Sequence, residues 1–130
     1  MTALLLPLLA AGPVMAAALA AISPWRVVGR LLCMLVPAIT AASGVSLIVL
    51  HHSEPVVATQ VGAFIPGVAI PMVSDSFTAI MLVATGVVAA LALAFCDLTG
   101  EFARSRYFAP LALLLLAGAN GALLTGDLFN

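Results

Sequence analysis

The chain has 130 residues, 65% of them hydrophobic and only 7% charged, with a formal net charge of −1. A water-soluble domain carries roughly a quarter charged residues, so most of this surface has to be solvated by lipid. There is no basic field to recruit nucleic acid. The sequence contains no phosphate loop, dinucleotide fingerprint, nucleophile–base pair or zinc spacing, so no autonomous enzyme, metal or cofactor is expected.

Spanning about 30 Å of hydrocarbon takes about 20 apolar residues at 1.5 Å per residue. The first such run is Leu4 to Ile22, closed by "SPWR", in which Pro24 stops the helix and Trp25 suits the headgroup level. Met1 to Ala3 carries no Lys or Arg, so the run reads as an uncleaved transmembrane helix and not as a signal peptide. The second run, Leu31 to Leu50, contains Pro37, which predicts a kink and frees the Cys33 carbonyl. It ends at His51, His52 and Glu54. Adjacent histidines point about 100° apart on a helix and do not chelate one metal together, so these are polar membrane-edge residues. Cys33 and Cys96 lie in apolar runs and read as small packing groups.

Pro55 to Ser74 is uncharged, but Pro55, Pro66, Pro71, Gly62 and Gly67 interrupt it. A lipid-exposed helix with those breaks leaves backbone groups unpaired in oil. An extended or hairpin-like segment is expected instead, with a short strand in "VVATQVGAFI". The third span starts at "SDS" and covers residues 76–96, with Asp75 at the helix start beside a Ser74 cap. Asp97 and Glu101, four apart, balance Arg104 and Arg106 in the loop that follows. The fourth span covers residues 108–124.

The expected architecture is therefore all-α: a single polytopic membrane domain over residues 1–130, with four transmembrane helices and a Pro/Gly-rich extracellular segment between helices two and three. All four arginines fall in two loops, residues 26–30 and 104–106, which lie on one side only if the spans number four. Arginine-rich loops stay cytoplasmic, which leaves the N-terminus outside a plasma-membrane protein. Small residues recur every fourth position, as Ala38, Ala42, Ser46 on span two and Gly86, Ala90, Ala94 on span three. Such stripes let helices approach closely.

Ionisable groups inside a span cost about 2.5 to 3.5 kcal/mol each and mark ion pathways. The centres of these spans carry none, and the chain has no Lys. The polar groups that remain are Asn120, Thr125 and Asp127 around span four. Asn120 lies deep enough to need a partner on another helix, and Gly118 and Gly121 leave room for one. For "TGD" two readings stand: a helix-ending turn or the mouth of an ion path.

At "LLLLAGANGALLTGDLFN", Leu113 to Asn130, the chain resembles the D-type subunit of Mrp-type multisubunit cation/proton antiporters, relatives of the large membrane subunits of respiratory complex I. The family pattern G-x-x-G-A-F-x-T-G-D-L-F-N is met at Gly118, Gly121, Ala122 and from Thr125 to Asn130, with Leu123 in place of the aromatic. "GVAIPMVSDSFTAIMLVATGVV" is similar to the family's entry into its third helix. The resemblance implies a part in exchanging Na+ or another monovalent cation for H+, with other antiporter subunits and the lipid bilayer as partners. It further implies that the family's translocating glutamate and lysines lie in helices beyond this stretch. The chain would then be the N-terminal portion of a longer subunit, supplying helix packing and subunit contacts. Two alternatives remain: a small stand-alone membrane scaffold or assembly protein, and a proton-pumping subunit of a complex I-like or hydrogenase assembly.

Overall fold

The computed structural model describes residues 2–23, 26–52, 56–61 and 70–125. Among these the chain forms α1 (Thr2–Ile22), α2 (Arg26–Leu50), β1 (Val57–Val61), β2 (Ile70–Ser74), α3 (Ser76–Leu98), α4 (Glu101–Arg104) and α5 (Phe108–Leu124). Helices α2 and α3 are long and apolar enough to cross a membrane, while Leu6–Ile22 and Phe108–Leu124 are shorter apolar helical stretches. Side chains such as Leu8, Met15, Leu31, Leu35, Val88, Leu91, Phe95 and Leu115 point outward. Apolar residues on every face of a helix suit a surround of lipid or of other apolar helices.

The start of α2 differs from the sequence expectation by one turn and more, because the helix begins at Arg26 and not at Leu31. Arginine is compatible with a helix end at the interface, since its aliphatic stem lies along apolar surface while the guanidinium reaches water. The expected strand is present over Val57–Val61 and pairs antiparallel with Ile70–Ser74, in a register running from Val57 opposite Ser74 to Val61 opposite Ile70. Residues 62–69, with Gly62, Pro66 and Gly67, lie outside the described residues, as do Pro24, Trp25, Glu54 and Pro55. Met72 also bridges to Thr125, which ties β2 to the end of α5.

The broadest helix contacts are α2 against α3 and α1 against α5. The first depends on two glycines. A methyl group built on Gly86 would lie 2.6 Å from the Ala41 nitrogen and 2.8 Å from the Pro37 oxygen. One built on Gly44 would lie 2.7 Å from Val83 Cγ2 and 3.0 Å from the Ala79 oxygen. The two backbones therefore meet at distances only hydrogen permits. In lipid, where apolar burial between helices gains little, that contact is the main attraction available. The stripe expected on α2 does not make it, because Ala38, Ala42 and Ser46 are exposed and the buried line is Pro37, Thr40, Gly44 and Leu47. Small residues stand on several faces of α2, and the face holding a glycine approaches closest. On α3, Gly86 is buried, with Ala90 and Ala94 half-buried below it. On α5, Gly118 is exposed and Gly121 half-buried, and neither has an atom within 4 Å of where a side chain would begin.

Two further expectations are corrected at the loops. Asp75, not Ser74, is the N-cap of α3, its carboxylate accepting from the Thr78 N–H at 2.7 Å, while Ser74 ends β2 and is fully buried. This bond holds the Asp75 carboxyl below its usual range. Helix α3 does not continue to Glu101, because Gly100 at φ +77° takes the left-handed conformation that glycine adopts without strain. Asp97 and Glu101 consequently part company. Asp97 pairs with Arg30 on α2 at 2.6 Å, and Glu101 with Arg104 at 2.7 Å. Phe102 of α4 is buried edge-on against Phe108, with ring centroids 5.0 Å apart, which fixes the turn into α5.

The glycine contact and the cap are both open to test. Gly86→Val should destabilise the chain by about 1–3 kcal/mol in mixed-micelle unfolding by overpacking a backbone crossing. Gly118→Ala should be neutral or stabilising by up to about 1 kcal/mol, the helix-propensity gain. For Asp75, a carboxyl lowered by folding stabilises above its unfolded pKa, and that contribution fades as pH falls through the lowered value. Hydrogen exchange at the Thr78 amide should accordingly lose protection on acidification in the native chain, whereas Asp75→Asn, which still caps, should show no such acid step.

Candidate functional site

Two apolar clusters occupy the bundle, one around Cys33, Leu93, Phe102 and Leu113, the other around Leu6, Leu47, Leu82 and Leu124. Between them along α2 and α5 sit the buried polar side chains Thr40 and Asn120. Asn120 is fully buried; its Nδ2 donates to the Leu9 carbonyl at 3.1 Å and to Thr40 Oγ1 at 3.2 Å. Thr40 Oγ1 in turn donates to the Val36 carbonyl at 3.1 Å. One amide group thus joins α5 to α1 and to α2.

The Leu9 carbonyl is available for a local reason. Pro13 lies four residues further along α1 and has no N–H, so the carbonyl that would accept from it has no intrahelical partner. In oil an unpaired carbonyl is costly, and prolines persist in such helices where a neighbour supplies the missing donor. Asn120 supplies it. The amide oxygen, Asn120 Oδ1, is buried and has no partner among the described residues. It is an acceptor held in an apolar surround.

The other expected site residues are not gathered there. Thr125 stands at the C-cap of α5, its N–H donating to the Gly121 carbonyl at 3.0 Å. Asp127 lies outside the described residues. At the hairpin end, His51 Nε2 lies 3.0 Å from the Ser74 carbonyl. A carbonyl only accepts, so Nε2 carries a proton and donates this bond. No group of three or more His, Cys, Asp or Glu side chains arranged to hold a metal occurs among the described residues. Cys33 is buried with Sγ 3.7 Å from the Ala109 carbonyl, and Cys96 is a second free thiol.

Three partners here escaped sequence reasoning: Thr40, the Leu9 carbonyl, and the Arg30–Asp97 pair that joins α2 to α3. For the carbonyl a signal existed, namely a proline inside an apolar run with a deep asparagine elsewhere in the chain. The pairing of distant positions had no local signature.

Apolar helices facing outward, a glycine-dependent crossing and one buried amide clamp define an α-helical membrane protein built for helix packing. Comparison with known proteins shows what the chain is similar to within that class. Over 62 residues, 47% of this chain, it is 44% identical to the D subunit of the Na(+)/H(+) antiporter of Alkalihalophilus pseudofirmus. Its fold matches a chain in the structure of the Mrp complex from Dietzia sp. DQ12-45-1b, with a TM-score of 0.85 and 38% identity over 95% of the present chain. The chain spans 13% of the length of the first relative and 23% of the second. No family model matches it. The resemblance to Mrp-type antiporters, carried in the sequence by residues 113–130, holds over almost the whole fold.

The clamp predicts a non-additive pair of substitutions. Asn120→Ala should cost about 1–2 kcal/mol in mixed-micelle unfolding, the range for a buried interhelical polar contact. With Pro13→Ala, which restores an intrahelical donor to Leu9, the same change should cost less. Equal losses in both backgrounds would show that the proline-freed carbonyl is not what Asn120 serves.

Proposed function

We propose that this chain forms part of the D-type subunit of a multisubunit monovalent cation/proton antiporter in the plasma membrane, crossing it four times. The observation that supports this best is the Mrp-complex fold match over 95% of the chain. In this reading α1, α2, α3 and α5 are the four spans of one membrane domain. The arginine loops at residues 26–30 and 104–106 face the cytoplasm, and the N-terminus and hairpin face outside.

The contribution of the chain is packing and subunit contact. Transport through lipid needs buried charges whose protonation alternates, and the chain has no Lys and no carboxylate at the centre of an apolar helix. Asn120 holds three helices together, while Ala38, Ala42 and Ser46 on α2 and Gly118 and Gly121 on α5 stand open for helices of the full assembly. Asp127, with Thr125, marks the mouth of the ion path or a further helix contact. Na+ or another monovalent cation and H+ move through the complete complex, whose other subunits are the partners. Nothing in this role calls for an enzymatic step.

Everted vesicles test the division of labour. Those holding only this chain should show no Na+-driven collapse of an imposed pH gradient, and in cells that make an Mrp complex the tagged chain should co-isolate with its subunits. Flux from the chain alone, abolished by Asp127→Ala, would overturn the packing role. Failure to co-isolate would overturn the assignment to the complex.

A further inference from the structure

The arginine end of the bundle holds a cavity of about 310 Å³ between the end of α1, the first turn of α2, α4 and the start of α5. Of the four arginines in the chain, two are neutralised there: Arg30 by Asp97 and Arg104 by Glu101. The other two, Arg26 and Arg106, line the cavity, and neither has a carboxylate partner among the described residues. Both are held by other means. Arg26 Nη1 donates to the Ala103 carbonyl at 2.7 Å, which leaves its remaining N–H groups available. The Arg106 guanidinium sits 6.0 Å from the centroid of the Tyr107 ring. Ser23 and Ser105 also line the space, and the first turns of α2 and α5 bring the positive ends of their dipoles towards it.

Two guanidiniums without counter-charges, flanked by hydroxyls, form a binding site for an oxyanion of phosphate geometry. The remaining wall is apolar, with Ala20, Ile22, Phe102 and Ala109; Ile22 and Leu19, one turn apart on α1, are 80% and 57% exposed. A free anion has no use for that surface, whereas an acyl chain does. Basic pockets at the ends of transmembrane helices take anionic lipid headgroups on this physical basis. We propose that this cavity binds the phosphodiester of an anionic phospholipid from the leaflet on the arginine side, with Arg26 and Arg106 as its ligands. The lipid would add to the contact between the α1–α2 and α4–α5 turns, to which the Arg26–Ala103 bond and the packing of Phe102 and Ala109 already contribute. The proposal requires the helices to lie in a bilayer but does not require the chain to take part in ion exchange.

Native mass spectrometry of the full chain in detergent, with phosphatidylglycerol or phosphatidylcholine of the same acyl chains, tests it. Phosphatidylglycerol should be retained in preference, and Arg26→Gln and Arg106→Gln should each lower its retention about fivefold, the usual contribution of one interfacial arginine. Arg104→Gln, outside the cavity, should change nothing, and Arg106→Lys should keep most of the binding. Because Arg26 also anchors α4, the exposed Arg106 is the decisive position. Equal retention by Arg106→Gln and Arg104→Gln, or no preference between the two lipids, would overturn the site. Displacement of phosphatidylglycerol by excess inorganic phosphate would overturn the lipid as occupant and leave a site for the free anion.

Discussion

Pro13 removes one N–H from the interior of an apolar helix, and the arrangement of the bundle depends on how the Leu9 carbonyl is then satisfied. In water the solvent would repair the loss. In hydrocarbon only another protein group can, so the missing bond becomes an attachment point. Asn120 fills it from α5 and uses its second N–H on Thr40 of α2. Thr40, already donating back to Val36, is free to act as the acceptor. A backbone defect in α1 thus sets the relative position of three helices, a task that apolar side chains in lipid perform poorly because each is as well solvated by acyl chains as by its neighbours.

The α2–α3 pair is held by the opposite device. At the crossing Gly44 and Gly86 lack Cβ atoms, so that backbone meets backbone. The two devices are complementary: close contact aligns α2 with α3, and the amide clamp adds α1 and α5 to that pair. At the bundle ends, ion pairing and capping complete the frame. Arg30 and Asp97 join the arginine-side ends of α2 and α3, and at the other end the Asp75 cap and the Met72–Thr125 bridge hold the hairpin between α3 and α5.

Much of this is legible in the sequence, and the parts that are not share a cause. Element positions follow from composition along the chain: the apolar run before the C-terminal motif forms the helix Phe108–Leu124, and the strand from Val57 and the start of α3 at Ser76 fall where Pro, Gly and short polar residues break the apolar runs. What periodicity does not reveal is which face of a helix meets which neighbour. Ala38, Ala42 and Ser46 satisfy the small-residue spacing as well as any triplet, yet they point outward, because Gly44 on an adjacent face permits a closer approach. Sequence proximity pairs Asp97 with Arg104 and Arg106, but Gly100 turns the chain away and brings Arg30 of α2 nearer. Local pattern identifies elements; contact between elements depends on backbone detail that only the folded chain supplies. The deep asparagine is legible as a residue in need of a partner, though not as the partner of a particular proline.

The same distinction bears on what the chain does within an assembly. Its internal polar groups are mostly engaged with one another: Asn120 with Leu9 and Thr40, Arg30 with Asp97, His51 with Ser74. Such groups rigidify a frame. The features left open are of another kind. A side chain built on Gly118 or Gly121 would meet nothing within 4 Å, and Asn120 Oδ1 has no donor among the described residues. Open glycines cost helix stability unless something packs on them, and an unpaired buried oxygen costs more. Each therefore argues for contacts beyond the described residues: on α5 at the glycines and Asn120, and at the hairpin end, where His51 Nδ1 and Ser74 Oγ are also buried without a partner among the described residues.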